Sequence, residues 1–362
     1  MIESIGWFNS RKVILTGRGA TALMLLYEIL GKKTGRVILP AIGCPSLLAT
    51  VLLSGLQPVI VDVDSNLNIE PGEVKRIIRP GDIVLGVHIF GIPCRIEELE
   101  KICDENNAIL IEDAAQAVGG VLVESNRPLG TFGKASILSF AGGKILDTVG
   151  GGAILTHDPD LARALNQKAV NLPDRPNDIS EKSKVIRDLS TNFFNDARKD
   201  NPDAASEWSK IYNLHPEIYY YSISDSEALS IRDSFEYFPE NTVSRLDGVR
   251  LYESRLNFDG IRLLNYPDQC VPFRFSFIAE KLSGIQTQEL TEKIRHATPR
   301  GIHASNLYLP LHWLAPDLVE TPGCPNAEFA GTRIINLWLT DGFPARDIDI
   351  LEKIISHYLK EL

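Results

Sequence analysis

Short apolar runs rich in Val, Ile and Leu recur near 36–39, 58–62, 83–88, 108–112, 136–140 and 152–156, bounded by Gly, Pro or charged positions. Between them, apolar residues at three- and four-residue spacing predict helices over 20–30, 45–54, 72–79, 95–106 and 160–170. Strands that are apolar throughout are buried on both faces, and strand–helix alternation builds a mostly parallel sheet covered on either side. The predicted class is α/β, with a large domain over 1–171. From 172 to 217 the pattern gives way to a charged, proline-flanked, helix-tending excursion between domains. It reads either as a solvated surface element or as a flap over a pocket. Beyond it, a long helix is predicted around 240–256, strands within 271–279 and 333–339, and a closing helix in DIDILEKIISHYLKEL. These make a smaller C-terminal α/β domain within 218–362.

Composition narrows the choice of partners. At 362 residues and 44% hydrophobic, the chain can fill one large and one smaller core. A formal charge of −10 argues against a general nucleic-acid surface, although local positive charge could still hold a phosphorylated substrate. The longest apolar stretch, ALMLLYEIL at 22–30, is broken by Glu28 and falls far short of the ~20 residues a bilayer span needs. The opening MIESIGWFNSRK lacks the layout of a secretion signal, so a cytoplasmic, membrane-independent protein is expected. Five cysteines are odd in number, widely spread and free of any C-x-x-C pair, and seven histidines lack metal spacing. Neither a disulfide framework nor a metal site is expected.

Candidate chemistry concentrates around Lys144, five residues after Ser139 and thirty-one after Asp113. ILIEDAAQ at 109–116 is an apolar run ending in carboxylates, which places Asp113 at the carboxyl end of a buried strand, where open α/β sheets bind ligands. SILSFAGGKILDTVGGGAIL at 136–155 reads as strand, glycine turn, lysine, second glycine turn and strand. Pyridoxal phosphate chemistry needs a lysine amine for a Schiff base and a carboxylate that keeps the pyridine nitrogen protonated. Lys144 and Asp113 supply both types. Taken singly, the lysine is a solvated charge and the aspartate a cap for the next turn; the glycines admit either a cofactor or another backbone.

Near the start, KVILTGRGATALMLLYEILG at 12–31 predicts a short strand, a glycine turn and a helix whose amino end, with Gly19, Ala20 and Thr21, suits a phosphate. Gly17, Gly19 and Ala22 also match G-x-G-x-x-G/A, but the next strand runs into Pro40-Ala41-Ile42 and lacks the acidic residue a dinucleotide site requires. Gly143-Lys144 is no nucleotide loop either, because Leu138 and Ile145 stand at its defining positions. His88, at the end of the strand at 83–88, serves either the pocket or the packing of the strand end.

On these motifs, residues 13–170 resemble the DegT/DnrJ/EryC1/StrS family of pyridoxal-phosphate-dependent sugar aminotransferases, a branch of fold type I. GRGATAL at 17–23 is similar to the family's phosphate turn, VILPAIGCPS at 37–46 and QPVIVDVD at 57–64 to its next strands, and VHIFGIPCRIEEL at 87–99 to its histidine-containing strand. IEDAAQAVGG at 111–120 and SFAGGK at 139–144 match its two cofactor motifs, and ISDSEALSI, LYLPLHW and GCPNAEFAGTRIINLWL extend the likeness more loosely. The resemblance implies pyridoxal 5′-phosphate as cofactor, bound covalently by Lys144, which then moves the substrate proton. It implies Asp113 at the ring nitrogen, Gln116 beside the ring, and Ser139, Gly19 and Ala20 at the phosphate. Where the family stacks an aromatic residue on the ring, this chain has Cys44. A family asparagine that reaches across subunits aligns with Tyr220, leaving Tyr219, Tyr220 or Tyr221 to replace it. His312, in YLPLHW, corresponds to a histidine on the substrate side. Only sixteen residues precede Gly17, which reads as a missing amino-terminal arm.

The function implied is transfer of an amino group from glutamate or glutamine to a keto sugar, carried on a nucleotide, in polysaccharide or natural-product biosynthesis, by a homodimer with sites at its interface. Two readings stand beside it: another reaction on the same cofactor, such as elimination or dehydration, and a non-catalytic regulatory relative. The family's dehydratases replace the lysine by histidine, so Lys144 counts against the first.

Overall fold

The apolar runs become strands of one twisted sheet. In the computed structural model, which describes residues 11–31, 35–148, 150–199, 201–235, 238–298, 302–339 and 345–360, these are β1 (Lys12–Thr16), β2 (Arg36–Pro40), β3 (Gln57–Val61), β4 (Ile83–Val87), β5 (Ile109–Asp113), β8 (Ala135–Ser139) and β9 (Gly152–Thr156). A small hairpin, β6 (Val121–Leu122) and β7 (Arg127–Pro128), precedes β8. The sheet order is β1-β9-β8-β5-β4-β2-β3. Helices α1 (Gly19–Leu30), α2 (Pro45–Leu53), α3 (Pro71–Ile77), α4 (Ile96–Glu105) and α5 (Pro159–Ala169) cover it. Every residue of β2, β4 and β9 is buried, as expected for strands covered on both faces.

The sheet is mostly parallel, as the alternation predicts, and one strand is turned. β5, β4, β2, β3 and β8 run parallel, but β9 is antiparallel to both β8 and β1. A parallel return needs a crossover, usually a helix, and the segment after Ser139 contains none. The chain therefore doubles straight back through the glycine turns around Lys144. The expected short lead-in falls largely on residues 1–10, outside the described residues.

The second half holds α6 (Ile179–Arg198), 3₁₀ turns at Pro202–Lys210 and Pro216–Ile218, α7 (Asp225–Ser234) and α8 (Phe238–Arg255). A four-stranded antiparallel sheet follows, β10 (Ile261–Leu263), β11 (Arg274–Ala279), β13 (Ile334–Trp338) and β12 (Ala304–Ser305) in spatial order. It is accompanied by α9 (Gly284–Ala297), α10 (Leu311–Leu314), α11 (Pro325–Arg333) and α12 (Ala345–Lys360). α9 is absent from the sequence reading, although a signal for it exists. Ser283 and Gln286 form a capping box, the S-x-x-Q spacing that marks a helix start.

The excursion is more firmly packed than a solvated element would be. Ile186, Ala205 and Trp208 are buried in the core, and Trp208 stacks on Tyr212 with ring centroids 5.4 Å apart. The buried Arg198 guanidinium donates to the carbonyls of Phe194 and Asn306, tying the end of α6 to the chain beside β12.

Candidate active site

At the carboxyl ends of β5 and β8, a cavity of about 160 Å³ brings together Gly19, Ala20, Cys44, Asp113, Gln116, Ser139 and Lys144. Arg18, Ser46 and Tyr219 also form its wall. None of the described side chains lining it comes from 172–217, which leaves the flap reading without support in this conformation.

Alternation along β5 decides which carboxylate faces the cavity. Neighbouring strand residues point to opposite faces, so Asp113 turns in while Glu112 turns away to accept the N–H groups of Gly130 and Phe132 at 2.7 and 2.8 Å. Asp113 Oδ1 accepts the N–H of Ala115 at 2.9 Å. Burial raises the Asp113 pKa, opposed by that hydrogen bond and by the positive charge of Lys144. A cationic partner inside the cavity would favour the carboxylate.

After β8, Gly143 adopts φ +80°, a left-handed turn that a side chain would resist, and its N–H donates to Asp147 Oδ2 at 2.8 Å. The tight turn lifts half-buried Lys144 off the strand, its Nζ 5.2 Å from the centroid of the Phe273 ring. Burial lowers the pKa of this amine, and nearby Arg274 pushes the same way, while Cys44 and Asp113 oppose them. More of it is neutral, and hence nucleophilic, than at a surface lysine.

The floor of the cavity is the first turn of α1, whose leading N–H groups have no intrahelical acceptor. A Cβ on Gly19 would lie 3.1 Å from Ser139 Cβ and 3.4 Å from its Oγ, so the glycine holds the hydroxyl against the helix end. The other glycines have different work. A Cβ on Gly17 would collide with the Tyr221 ring, and its N–H donates to Tyr221 O at 3.1 Å. Gly152 meets the backbone of Arg18 and Gly19. This glycine admits another backbone, not a ligand.

Cys44 occupies the N-cap of α2, where Ser46 Oγ donates to its Sγ at 3.1 Å. Gln116 Oε1 accepts the N–H of Phe90 at 3.0 Å, and its amide group also bonds Tyr308, which stacks on Phe90 at 5.9 Å. Its amide is thereby oriented at the cavity edge.

Three expected substrate residues lie elsewhere. His88 is fully buried: Nε2 donates to Glu112 Oε1 at 2.9 Å, and Nδ1 accepts the N–H of Cys94 at 3.0 Å. Both ring nitrogens are thus spent on Glu112 and Cys94, so the ring is tied to the strand end and is not on the cavity wall. His88→Ala should lower stability by about 1–3 kcal/mol, read from the denaturant midpoint, and leave cofactor affinity unchanged. Tyr220 borders a separate hollow beside Ile29 and Lys168 and bonds Glu28; it is Tyr219 that reaches the cavity. A run of three tyrosines cannot reveal which one faces in, since a short 3₁₀ turn at Pro216–Ile218 sets the phase. His312 pairs with Glu328 at 3.0 Å beside α11, outside the cavity wall. Arg18 on the wall, and Phe273 and Arg274 beside Lys144, are not among the site residues expected from the sequence, although an arginine inside the apolar run of VPFRFSFIA was a visible signal.

Comparison with known proteins agrees with the geometry. The DegT/DnrJ/EryC1/StrS aminotransferase family model matches residues 6–355. GDP-perosamine synthase of Vibrio cholerae is 34% identical over 142 residues, covering 38% of each chain. The chain spans about two fifths of the length of several such curated relatives. The Helicobacter pylori aminotransferase PseC, involved in pseudoaminic acid biosynthesis, superposes with a TM-score of 0.77 at 15% identity over 99% of this chain and 92% of its own. The E. coli GDP-4-keto-6-deoxy-D-mannose-3-dehydratase, solved with bound hydrated pyridoxal phosphate, does so at 0.71 and 19% identity over 96% and 88%. Among the described helices, none is long and apolar enough to cross a membrane. With a mostly parallel sheet, a lysine and a carboxylate in one cavity and a family match over residues 6–355, the chain belongs to the DegT/DnrJ/EryC1/StrS aminotransferase family, whose cofactor is pyridoxal 5′-phosphate.

Proposed function

We propose that this protein transfers an amino group from glutamate or glutamine to a nucleotide-linked keto sugar. The observation that carries the reading is the meeting of Lys144 and Asp113 in one cavity floored by Ser139 and the amino end of α1. The residues present fit the cofactor. The first turn of α1 and the Ser139 hydroxyl form a neutral, donor-rich cradle for its phosphate, and Gly19 keeps that cradle clear of a side chain. Asp113 lies where a cationic ring nitrogen would offset its burial. Gln116 and Tyr219 would flank the ring, and Cys44 would stand in place of an aromatic stack. Bound there, pyridoxal phosphate supplies an electron sink for the bond that breaks next to the donor nitrogen.

The protein's own groups handle the proton. Lys144 Nζ, whose pKa burial lowers, would take a proton from the donor's α-carbon and return it within the same cavity. A ring cation bound there would favour the ionised form of Asp113, and partial exclusion of water would strengthen that attraction. A homodimer is the proposed assembly; light scattering that returned a monomer at assay concentration would count against it.

Cofactor uptake should depend on pH in one direction. The amine must be neutral to react, so uptake rises with pH through the lowered Lys144 pKa and levels off above it. Burial raises the Asp113 pKa, so acidification also removes the carboxylate charge, and both effects weaken uptake at low pH. Titrating cofactor into apoprotein across a pH series, followed by visible absorbance, reads the trend; uptake that improved on acidification would contradict these assignments. For the reaction itself, glutamate should bleach the loaded protein, and a panel of nucleotide-linked keto sugars should then gain nitrogen by mass spectrometry. A coloured protein indifferent to every amino donor would overturn the proposal, and a sugar that lost a hydroxyl without gaining nitrogen would assign a dehydratase instead.

A further inference from the structure

Arg274, the first residue of β11, is only 4% exposed, yet among the described residues no carboxylate pairs with it. Its guanidinium is clamped between two rings, with Cζ 4.0 Å from the centroid of Phe273 and 3.8 Å from that of Trp338. Nη1 donates to the Phe273 carbonyl at 3.1 Å, Nη2 makes only a long contact of 3.5 Å to Gly143 O, and Nε is buried without a partner. Burial lowers its pKa to about 10, and the group is still a cation at neutral pH. Ring faces attract a cation but do not neutralise it. The nearby positive charge of Arg245 makes the position more costly still. A buried, oriented, unpaired guanidinium is expensive in the free protein, and a carboxylate or phosphate matches its planar fork.

Its position says which anion. Gly143, whose carbonyl Arg274 approaches, immediately precedes Lys144, and the Phe273 ring lies against both Lys144 Nζ and the guanidinium. Lys144 therefore has Asp113 as its acidic neighbour on the cavity side, and Arg274 as its cationic one. A molecule whose amine must reach the end of Lys144 and whose carboxylate is one carbon away fits that spacing. A keto sugar has no charge so close to its reacting carbon.

We propose that Arg274 receives the α-carboxylate of the amino donor, an assignment that rests on the transaminase reading above. Phe273 and Trp338 hold the guanidinium flat, and Gly143, lacking a side chain, lets its Nη2 pack close to the turn that carries Lys144. Donor binding supplies the missing counter-charge. Amines without a carboxylate lose this contact and should be poor donors.

The test uses glutarate, which carries glutamate's carboxylates without its amine and so cannot react. Calorimetric titration into the cofactor-loaded protein and into the cofactor-free protein should detect binding in both, with glutaramide, the uncharged diamide, binding far more weakly. Arg274→Met should weaken glutarate roughly 30-fold or more, as expected for removing one partner of a desolvated ion pair. At saturating cofactor the variant should still load. Should the methionine variant fold poorly by thermal melt, Arg274→Gln removes the same charge with a polar replacement. Equal glutarate affinity in a folded variant and the wild type, or no preference of the wild type for glutarate over glutaramide, overturns the proposal. Wild-type protein that binds glutarate through Arg274 but never transfers nitrogen from glutamate would overturn the transaminase reading alone.

Discussion

Lys144→Ala is expected to abolish amino transfer while leaving the fold intact. Alanine removes a half-buried amine that makes no side-chain hydrogen bond among the described residues, so no acceptor is orphaned and the stability cost should be small. The chemistry has no substitute. The same nitrogen would hold the cofactor and move the substrate proton, so turnover should fall by at least ~10⁴-fold, beyond the usual loss of a general base alone. Cofactor would still bind through Ser139, Asp113 and the end of α1, but borohydride treatment of the loaded variant should leave no covalent label. Activity within tenfold of wild type, or labelling at wild-type stoichiometry, would remove Lys144 from its proposed role.

Gly152→Ala should damage both the fold and the candidate phosphate cradle. In register, Gly152 lies opposite Thr16 on β1 and Ser139 on β8, so it links the start of α1 to the strand carrying the hydroxyl. An added Cβ would fall 2.5 Å from Arg18 O and closer still to the Arg18 carbonyl carbon and the Gly19 nitrogen. None of these is a flexible side-chain end that can swing aside. Either β9 or the first turn of α1 must shift, at a cost of about 1–3 kcal/mol for forced overpacking, and the donors facing Ser139 shift with it. A lower denaturant midpoint and weaker cofactor affinity should appear together. Gly142→Ala is the control, since only Asp147 Oδ1 comes near, at 3.9 Å. Wild-type values of both quantities in the Gly152 variant would show that the helix end is not held in this way.

The strands and helices of the first half were legible because each apolar run is short, β-branched and closed by Gly, Pro or charge. Predicted and observed limits differ there by a residue or two. Site residues on strand ends were legible for a related reason: strand alternation and the end-of-strand rule place Asp113 and Ser139 without further information. What was not legible depends on contacts between distant segments. Nothing local to His88 says that Glu112 will turn to the far face to meet it. Nothing in the run Tyr219–Tyr221 says which ring enters the cavity, because that is settled by where the turn before it docks. The direction of β9 could have been read from connection length, as no crossover helix fits between Ser139 and Gly152. Arg274 was readable only as an anomaly, a charge inside an apolar strand, and its meaning needed the two rings beside it.

The docking of Tyr219 and Tyr221 has a consequence for how the protein is made. Thr21 Oγ1 donates to Tyr219 O at 2.9 Å and Arg18 Nη1 to Ile218 O at 2.9 Å, contacts that span 198 and 200 residues of chain. One wall of the cavity therefore arrives only when most of the polypeptide has emerged from the ribosome and looped back, and distant closures of this kind form slowly. A nascent fragment ending near residue 171 would have Lys144 and Asp113 yet lack the tyrosine that completes the wall, and should release the vitamin readily. Secure retention of the coenzyme would then mark completed synthesis.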